Sequence, residues 1–317
     1  MRQLLSILLA VQAAAAPPSS LEVLEVRPSF YVIAGSGGPG GDAANIGVQI
    51  GEDGVVVVDA GSSASAPDVL AAIRRLSPKP IRYVIDTGPD ADHVGGNEAL
   101  AKAGEKLFGG SFLGGGTPNA VDLLAPVLSA EGVLRHMKSS PAGALPTEVF
   151  HYSRKAMYLN GEAIEVLHQP AAHTDSDVFA FFRRSDVVVA GDVLDTRQFP
   201  VIDVDRGGSI QGEIAALNRL AELAVPSVPV VTREAGTIVV PGHGHLCDQY
   251  DVIDYRDMVT IVRDRVRDLM KAGRSIAEVK AAQPAKGYVG RYGNAGGAWT
   301  TDRFIEAIYR SLAKEKP

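Results

Sequence analysis

Residues 87–97 read Thr-Gly-Pro-Asp-Ala-Asp-His-Val-Gly-Gly-Asn and continue an apolar, β-rich run that begins at Ile81. The run predicts a strand, so these polar residues stand at the carboxyl end of a strand. Open α/β sheets bind their ligands at that end. The adjacent pair Asp92 and His93 places a carboxylate and an imidazole there, and the neighbouring glycines let the backbone approach a ligand closely. The stretch is therefore a candidate ligand-binding site.

Four further strand ends carry an acidic residue or a histidine. They are Asp59 in Asp-Ala-Gly, His173 in Ala-His-Thr, Asp192 in Gly-Asp and His243 in Pro-Gly-His-Gly. Taken singly, such an aspartate is as readily a helix cap or turn residue, and such a histidine is more often a packing residue. Their joint position at strand ends favours a common site. Carboxylates and imidazoles without an available thiolate suit zinc, manganese or iron.

Short β-rich runs alternate with helical stretches along the chain. The predicted strands are 54–59, 81–87, 163–169, 178–183, 186–190 and 236–241, and the predicted helices are 67–76, 97–103, 120–137, 209–224, 254–271 and 301–314. This alternation is typical of the α/β class. Because no long linker divides it, we expect residues 17–317 to form a single domain. The glycine-rich stretches 35–41 and 109–120 predict a mobile flap and a surface loop.

The N-terminus has the pattern of a secretory signal. Arg2 precedes an apolar run over residues 4–11, and small alanines follow at 13–16. The run is too short to span a bilayer, which takes about 20 residues. We therefore expect residues 1–16 to be a signal peptide and the protein to be exported, periplasmic or secreted. No later segment of the sequence is long and uncharged enough to cross a membrane.

Composition narrows the classes of partner. The 317 residues are 46% hydrophobic and 21% charged, which is typical of a globular protein. The formal net charge of −6 leaves no basic excess for a nucleic-acid backbone, so we expect a small-molecule substrate. Cys247 is the single cysteine, which excludes an intrachain disulfide and every multi-cysteine zinc pattern. The oligomeric state has no signal in the sequence.

These motifs resemble those of the metallo-β-lactamase superfamily. Residues 87–97 are similar to its T-H-x-H-x-D-H-x-G-G-N signature, and the family's D-x-G, G-H-T, G-D and P-G-H-G elements follow at 59–61, 172–174, 191–192 and 241–244. All five occur in the family's order over roughly residues 22–250. The resemblance implies a four-layer αβ/βα sandwich with its site along one edge of the two sheets.

The chain departs from the family at its first metal site. Gly88 and Asp90 stand where the family has two histidines, which together with the G-H-T histidine hold the first metal. The second site is complete: by resemblance its ligands are Asp92, His93 and His243, with Asp192 bridging or completing it. This implies one firmly bound zinc, with manganese or iron as the alternatives.

Asp90 and His173 leave two alternatives open. Together with Asp192 they form either a weaker, oxygen-rich first metal site or a buried ion pair that replaces the lost metal. Histidines introduced at positions 88 and 90 are expected to raise the metal content toward two.

The resemblance implies a hydrolase. Zinc lowers the pKa of its bound water to about 7, so that a metal-bound hydroxide attacks an acyl carbon of an ester, lactone, thioester or β-lactam. Asp92 or His173 would orient or deprotonate this water, and Asp90 is a further candidate base. Two other classes stay open: a degenerate member that binds metal or ligand without turnover, and a metal-dependent oxidoreductase.

Overall fold

The computed structural model describes residues 21–34, 43–107, 123–227 and 236–314. The predicted signal peptide, the glycine-rich stretch 35–41 and the predicted loop 109–120 lie outside these residues. Within the described part of the chain, helices and strands alternate and the strands form two sheets.

The first sheet contains seven strands in sequential order. They are β1 (Glu22–Arg27), β2 (Phe30–Ala34), β3 (Ile46–Ile50), β4 (Val55–Val58), β5 (Ile81–Ile85), β6 (Val127–Ala130) and β7 (Glu148–Phe150). Strands β1 to β4 pair antiparallel, and β4 to β7 pair parallel. The parallel part brings the carboxyl ends of β4 and β5 to one edge.

The second sheet contains five strands in the order β12-β11-β10-β9-β8. They are β8 (Arg154–Leu159), β9 (Glu162–Gln169), β10 (Asp177–Phe182), β11 (Val187–Asp195) and β12 (Ile238–His243). β8 to β11 form an antiparallel meander, and β12 pairs parallel with β11. The ends of β11 and β12 therefore lie side by side.

Helices cover the outer faces of both sheets. They are α1 (Ala66–Leu76), α2 (Ala91–Val94), α3 (Asn97–Ala103), α4 (Glu131–His136), α5 (Ile210–Leu223), α6 (Gln249–Lys271), α7 (Ile276–Ala281), α8 (Val289–Tyr292) and α9 (Thr301–Lys314). Helices α1 and α3 pack on the first sheet, whereas α5, α6 and α9 pack on the second. The predicted four-layer αβ/βα sandwich is therefore confirmed.

Strand β4 shows why a continuous valine run suits this architecture. Its four residues are fully buried. Val55 and Val57 face the α1 side of the sheet, while Val56 and Val58 face the second sheet. A strand buried on both faces has no position for a polar side chain, so the chemistry begins only where β4 ends.

The helix predicted over 120–137 is wrong in its described part. Residues 127–130 form strand β6, and only Glu131–His136 is helical. Pro126 lies inside the predicted helix, where its ring would disrupt the helical hydrogen bonds. In the fold its carbonyl accepts a hydrogen bond from Val84 of β5 instead. The four residues of β6 are buried between β5 and β7.

Strand β11 extends past the predicted end at residue 190. The pairing with β12 is irregular around Gly191, whose φ of 56° is left-handed. The strand continues through Asp192 to Asp195. Asp192 therefore lies within an irregular strand and not in a loop after it.

None of the described helices is long and apolar enough to cross a bilayer.

A buried acid on α5 gives a test of the packing of the second helical layer. Glu213 is fully buried, and within the described residues neither of its carboxylate oxygens has a hydrogen-bond partner. Burial, followed by the charge of Asp177, raises the pKa of Glu213 well above its usual range. The folded protein therefore keeps Glu213 protonated at pH values where the unfolded chain, with a pKa of about 4.3, is ionised.

This protonation stabilises the fold below pH ~4.3, and the contribution is lost as pH rises toward the folded-state pKa. Glu213→Gln removes this dependence. We expect its stability relative to wild type to increase between pH 4 and pH 7, by up to about 1.4 kcal/mol per pH unit. Thermal unfolding at each pH measures this stability difference. Glu222→Gln is the control, because Glu222 is exposed on the same helix. A difference that stays constant with pH contradicts the prediction.

Candidate metal centre

The loop from Asp86 to Asn97 is fitted closely against the end of β4. His93 O accepts a hydrogen bond from Ala60 N, and Gly61 O accepts one from Gly96 N. A Cβ at Gly96 would collide with the carbonyl of Ala60, so only glycine allows this approach. The loop thus holds the short helix α2, with Asp92 and His93, at the sheet edge.

Asp59 fixes the orientation of His93. Its carboxylate accepts hydrogen bonds from Thr87 N at 2.8 Å and from Thr87 Oγ1 at 2.7 Å. His93 Nδ1 lies 2.8 Å from Asp59 Oδ2, with both side chains buried. A carboxylate partner keeps a proton on Nδ1, so Nε2 is the atom of His93 that is left to bind a metal.

The four side chains of the predicted second site converge. His243 Nε2 lies 3.0 Å from Asp92 Oδ2 and 3.3 Å from Asp192 Oδ1, and His93 Nε2 lies 3.2 Å from the same Asp192 oxygen. Ligands bound tetrahedrally at zinc distances of about 2.0–2.2 Å are separated by roughly 3.3–3.6 Å, close to the distances seen here. The spacing of these donor atoms therefore fits a single metal ion.

His93 Nε2 is the atom of the cluster whose surroundings most clearly suit a cation. The atom is buried and has no hydrogen-bond partner among the described residues, although Asp192 Oδ1 is 3.2 Å away. The contact is therefore close but not aligned as a hydrogen bond. A buried polar atom without a hydrogen-bond partner is costly, and a metal ion held between the ligands would remove that cost.

The carboxylates of this cluster favour positive charge. Burial lowers the pKa of His243, but hydrogen bonds to Asp192 and Asp92 outweigh burial and raise it to about 9. Burial likewise raises the pKa of Asp192, but the charge of His93 and the hydrogen bond to His243 outweigh burial and hold it well below its usual range. The group thus attracts either protons or a metal cation. Metal binding must release those protons.

Asp90 and His173 are engaged differently. His173 Nε2 lies 2.6 Å from Asp90 Oδ2, and His173 Nδ1 lies 2.7 Å from the carbonyl of Val201. The other oxygen of Asp90, Oδ1, lies 2.8 Å from Arg206 Nη1. Asp192 Oδ2 is 4.0 Å from His173 Nε2. These three acidic and histidine side chains could hold a metal, but two of them already pair with each other.

The charges of this pair follow from its contacts. Burial raises the pKa of Asp90, but His173 and Arg206 outweigh burial and lower it to about 2. Burial lowers the pKa of His173, but the hydrogen bond to Asp90 and the charge of Asp192 raise it to about 10. In this arrangement Asp90 is a carboxylate and His173 an imidazolium at neutral pH.

Gly88 is not required by the backbone. A Cβ at this position would meet only Asp177 Oδ1, at an ordinary contact distance of 3.7 Å. Its conformation is not left-handed. The site can therefore accept a side chain at residue 88, and the glycine removes a ligand without serving a turn.

A small pocket of about 310 Å³ opens over the candidate metal ligands. Besides the predicted site residues, its lining includes Ala91, Asp195, Arg197, Gln198, Val201 and Arg206. Sequence reasoning missed the lining residues of segment 195–206 because that segment carries no recognisable motif. Asp59 was a candidate only by its place at a strand end, and its contact with His93 appears only in three dimensions.

The comparisons with known proteins agree with this fold. A family model described as "Metallo-beta-lactamase superfamily" matches residues 39–107. No curated protein matches the chain in sequence. Among solved structures, a metallo-beta-lactamase from Pontibacter korlensis is 18% identical with a TM-score of 0.57, over 76% of this chain and 99% of that one.

Two further structures extend the comparison. The DIM-1 metallo-beta-lactamase is 16% identical with a TM-score of 0.55, over 76% of this chain and 97% of that one. The sec-alkylsulfatase Pisa1 from Pseudomonas sp. is 18% identical with a TM-score of 0.65, over 94% of this chain and 52% of that one. The chain thus spans about half the length of the alkylsulfatase. At these identities the likeness establishes the fold.

Together, the family-model match over residues 39–107 and the shared fold support the resemblance of the chain to the metallo-β-lactamase superfamily. The predicted resemblance and fold class are confirmed. Candidate groups of metal ligands are present at both predicted positions.

The contact between Asp59 and His93 predicts a loss of metal affinity in Asp59→Asn. Asparagine tolerates the left-handed backbone of residue 59, whose φ is 64°, so the loop should keep its conformation. The neutral amide no longer holds the Nδ1 proton of His93, and such losses typically weaken metal binding about 10–100-fold. Competition with a chelator of known zinc affinity measures the change. Unchanged zinc affinity in a folded variant contradicts the role given to Asp59.

Proposed function

We propose that the protein is a metal-dependent hydrolase that acts on the acyl carbon of a small-molecule ester, lactone, thioester or β-lactam. The observation that carries this proposal is the convergence of Asp92, His93, Asp192 and His243, where the buried Nε2 of His93 has no hydrogen-bond partner within the described part of the chain. The superfamily of the chain, whose solved neighbours include lactamases and an alkylsulfatase, supports hydrolysis as the reaction class.

The donor set fits one metal ion, and we propose zinc, with manganese or iron as alternatives. Two imidazoles and two carboxylates are suitable ligands for each of these ions. A zinc ion held there supplies Lewis acidity and lowers the pKa of a coordinated water to about 7. The protein's own contribution is to fix the ligands, and Asp59 does this for His93.

We propose that the remaining polar residues of the pocket orient the bound molecules and do not transfer protons. Both oxygens of Asp90 are already paired, one with His173 and one with Arg206. Its role as a general base would require breaking one of these contacts, so the contacts support the ion-pair alternative. Asp92 has a side chain that is 30% exposed and lines the pocket, so it is the better candidate to orient a water molecule.

The degenerate, non-catalytic alternative is not favoured. A member that binds a ligand without metal has no reason to keep four donor atoms at metal-ligand spacing, or Asp59 to orient one of them, and turnover in the activity panel separates the hydrolase from a member that only binds metal. The pocket volume of about 310 Å³ also suits a small molecule or the reactive end of a larger one.

Export is part of the proposal and rests on residues 1–16 alone. We expect the mature protein to begin shortly after the alanine stretch. N-terminal sequencing of the protein recovered from the periplasmic or culture fraction of the expressing cells tests this. Recovery of a chain that still begins at Met1 contradicts it.

The proposed function is tested by metal analysis and an activity panel. Purified protein is stripped of bound metal and reloaded with zinc, manganese or iron. Each metal form is then assayed with an ester, a lactone, a thioester and a β-lactam. We expect turnover of at least one substrate class and its loss on chelation. Absence of turnover in all three metal forms contradicts the proposal.

Ligand variants sharpen the test. Asp92→Ala and His243→Ala each remove a direct ligand, so we expect zinc affinity to fall by more than the roughly 10–100-fold typical of indirect partners, and turnover to fall with it. His245→Ala is the matched control, because His245 is exposed two residues beyond His243. Zinc affinity and turnover in this control should equal those of wild type.

A further inference from the structure

The carboxylate of Asp90 is held between two cationic side chains. His173 Nε2 lies 2.6 Å from Oδ2, and Arg206 Nη1 lies 2.8 Å from Oδ1. A metal ion bound by Asp90 and His173 would have to displace the first contact and lie beside the guanidinium of Arg206. The residues at the first site therefore do not fit the metal that the superfamily has there.

Arg206 is fixed in this place by the turn that carries it. Asp203 caps the turn Val204–Arg206: its carboxylate accepts from the backbone N–H of Asp205 and Arg206. Arg206 Nε also donates to Asp203 Oδ2 at 2.6 Å. The turn ends at Gly207, whose φ of 86° is left-handed. The guanidinium is thus positioned by its own turn and does not depend on Asp90 alone.

Two neighbouring segments hold the turn against the site. Asp203 N donates to the carbonyl of His173, which joins the turn to the loop that carries the histidine. From the C-terminal helix α9, Arg310 pairs with Asp205 at 2.5 Å and Lys314 Nζ donates to the carbonyl of Val204 at 3.0 Å. Arg206 is therefore part of a braced structure rather than a loose surface arginine.

We infer that the guanidinium of Arg206 is a fixed cation that takes the place of the first metal ion, with Asp90 as its counter-ion. A divalent ion beside a guanidinium is repelled by it, and the single negative charge of Asp90 can neutralise only one of these two cations. The loss of the two histidines at residues 88 and 90 is then only half of the change. Arg206 is the other half, and the protein holds one metal because of both.

The inference changes the expectation for restored ligands. Gly88 has room for a side chain, so the backbone can accommodate a histidine at residue 88. As long as Arg206 stays, however, its charge opposes a second metal ion. We expect the double variant Gly88→His/Asp90→His to bind no additional zinc, and the triple variant with Arg206→Met to bind about one equivalent more.

The experiment counts zinc per chain after saturation with Zn²⁺ and desalting, and it requires no substrate. Arg206→Met in the otherwise wild-type chain removes the competing positive charge and releases Asp90 Oδ1, so a metal ion can displace the remaining contact between Asp90 and His173, and we expect up to one equivalent more than in wild type. Arg206→Lys keeps the positive charge and should bind no more than wild type. Arg206→Gln, which keeps a donor for Asp90, replaces the methionine variant if thermal unfolding shows that the latter does not fold.

The inference rests on the proposed metal centre but fails separately from it. A gain of zinc on neutralising Arg206, without gain on Arg206→Lys, supports it whatever the turnover. An equal zinc count in wild type and in the folded neutral variants, single and triple, overturns it. A full additional equivalent in Gly88→His/Asp90→His with Arg206 intact also overturns it. Neither of these outcomes bears on whether zinc at Asp92, His93 and His243 supports hydrolysis.

Discussion

The carboxylate of Asp59 connects the first sheet to the metal centre. It accepts hydrogen bonds from Thr87, at the end of the neighbouring strand, and from His93 in the following helix. Because Asp59 follows directly on a strand that is buried on both faces, it has little freedom to move. The same contact selects the tautomer of His93 that can bind a metal. The rest of the site depends on this orientation.

The site exists only because the two sheets pack together. Asp92 and His93 come from the first sheet, whereas Asp192 and His243 come from irregular ends of two paired strands of the second. Asn45 joins the two halves, since its side chain donates to the carbonyls of Pro241 and Gly244. Metal binding should therefore stabilise the assembled sandwich, because the unfolded chain cannot bring these ligands together.

Much of the architecture could be predicted from the sequence because it depends on local patterns. The valine run of β4 requires burial on both faces, and the acidic residues and histidines that follow strands converge because strand ends converge. The helix predicted over 120–137 is wrong because apolar spacing cannot distinguish a short buried strand from a helix. Pro126 is the local signal against a continuous helix there. The role of Arg206 has no local signal in the sequence, since Asp90, its partner at the site, is 116 residues away.

The two halves of the ligand cluster differ in what balances their charge. Around His93 and His243 the ligand atoms face one another, and His93 Nε2 has no hydrogen-bond partner among the described residues, so a metal ion is its natural partner. Around Asp90 the protein supplies its own cations. Diffraction data collected at the zinc absorption edge from zinc-grown crystals test this asymmetry most directly. The account predicts one anomalous peak, among Asp92, His93, Asp192 and His243. A peak between Asp90 and His173, or none at the four ligands, contradicts it.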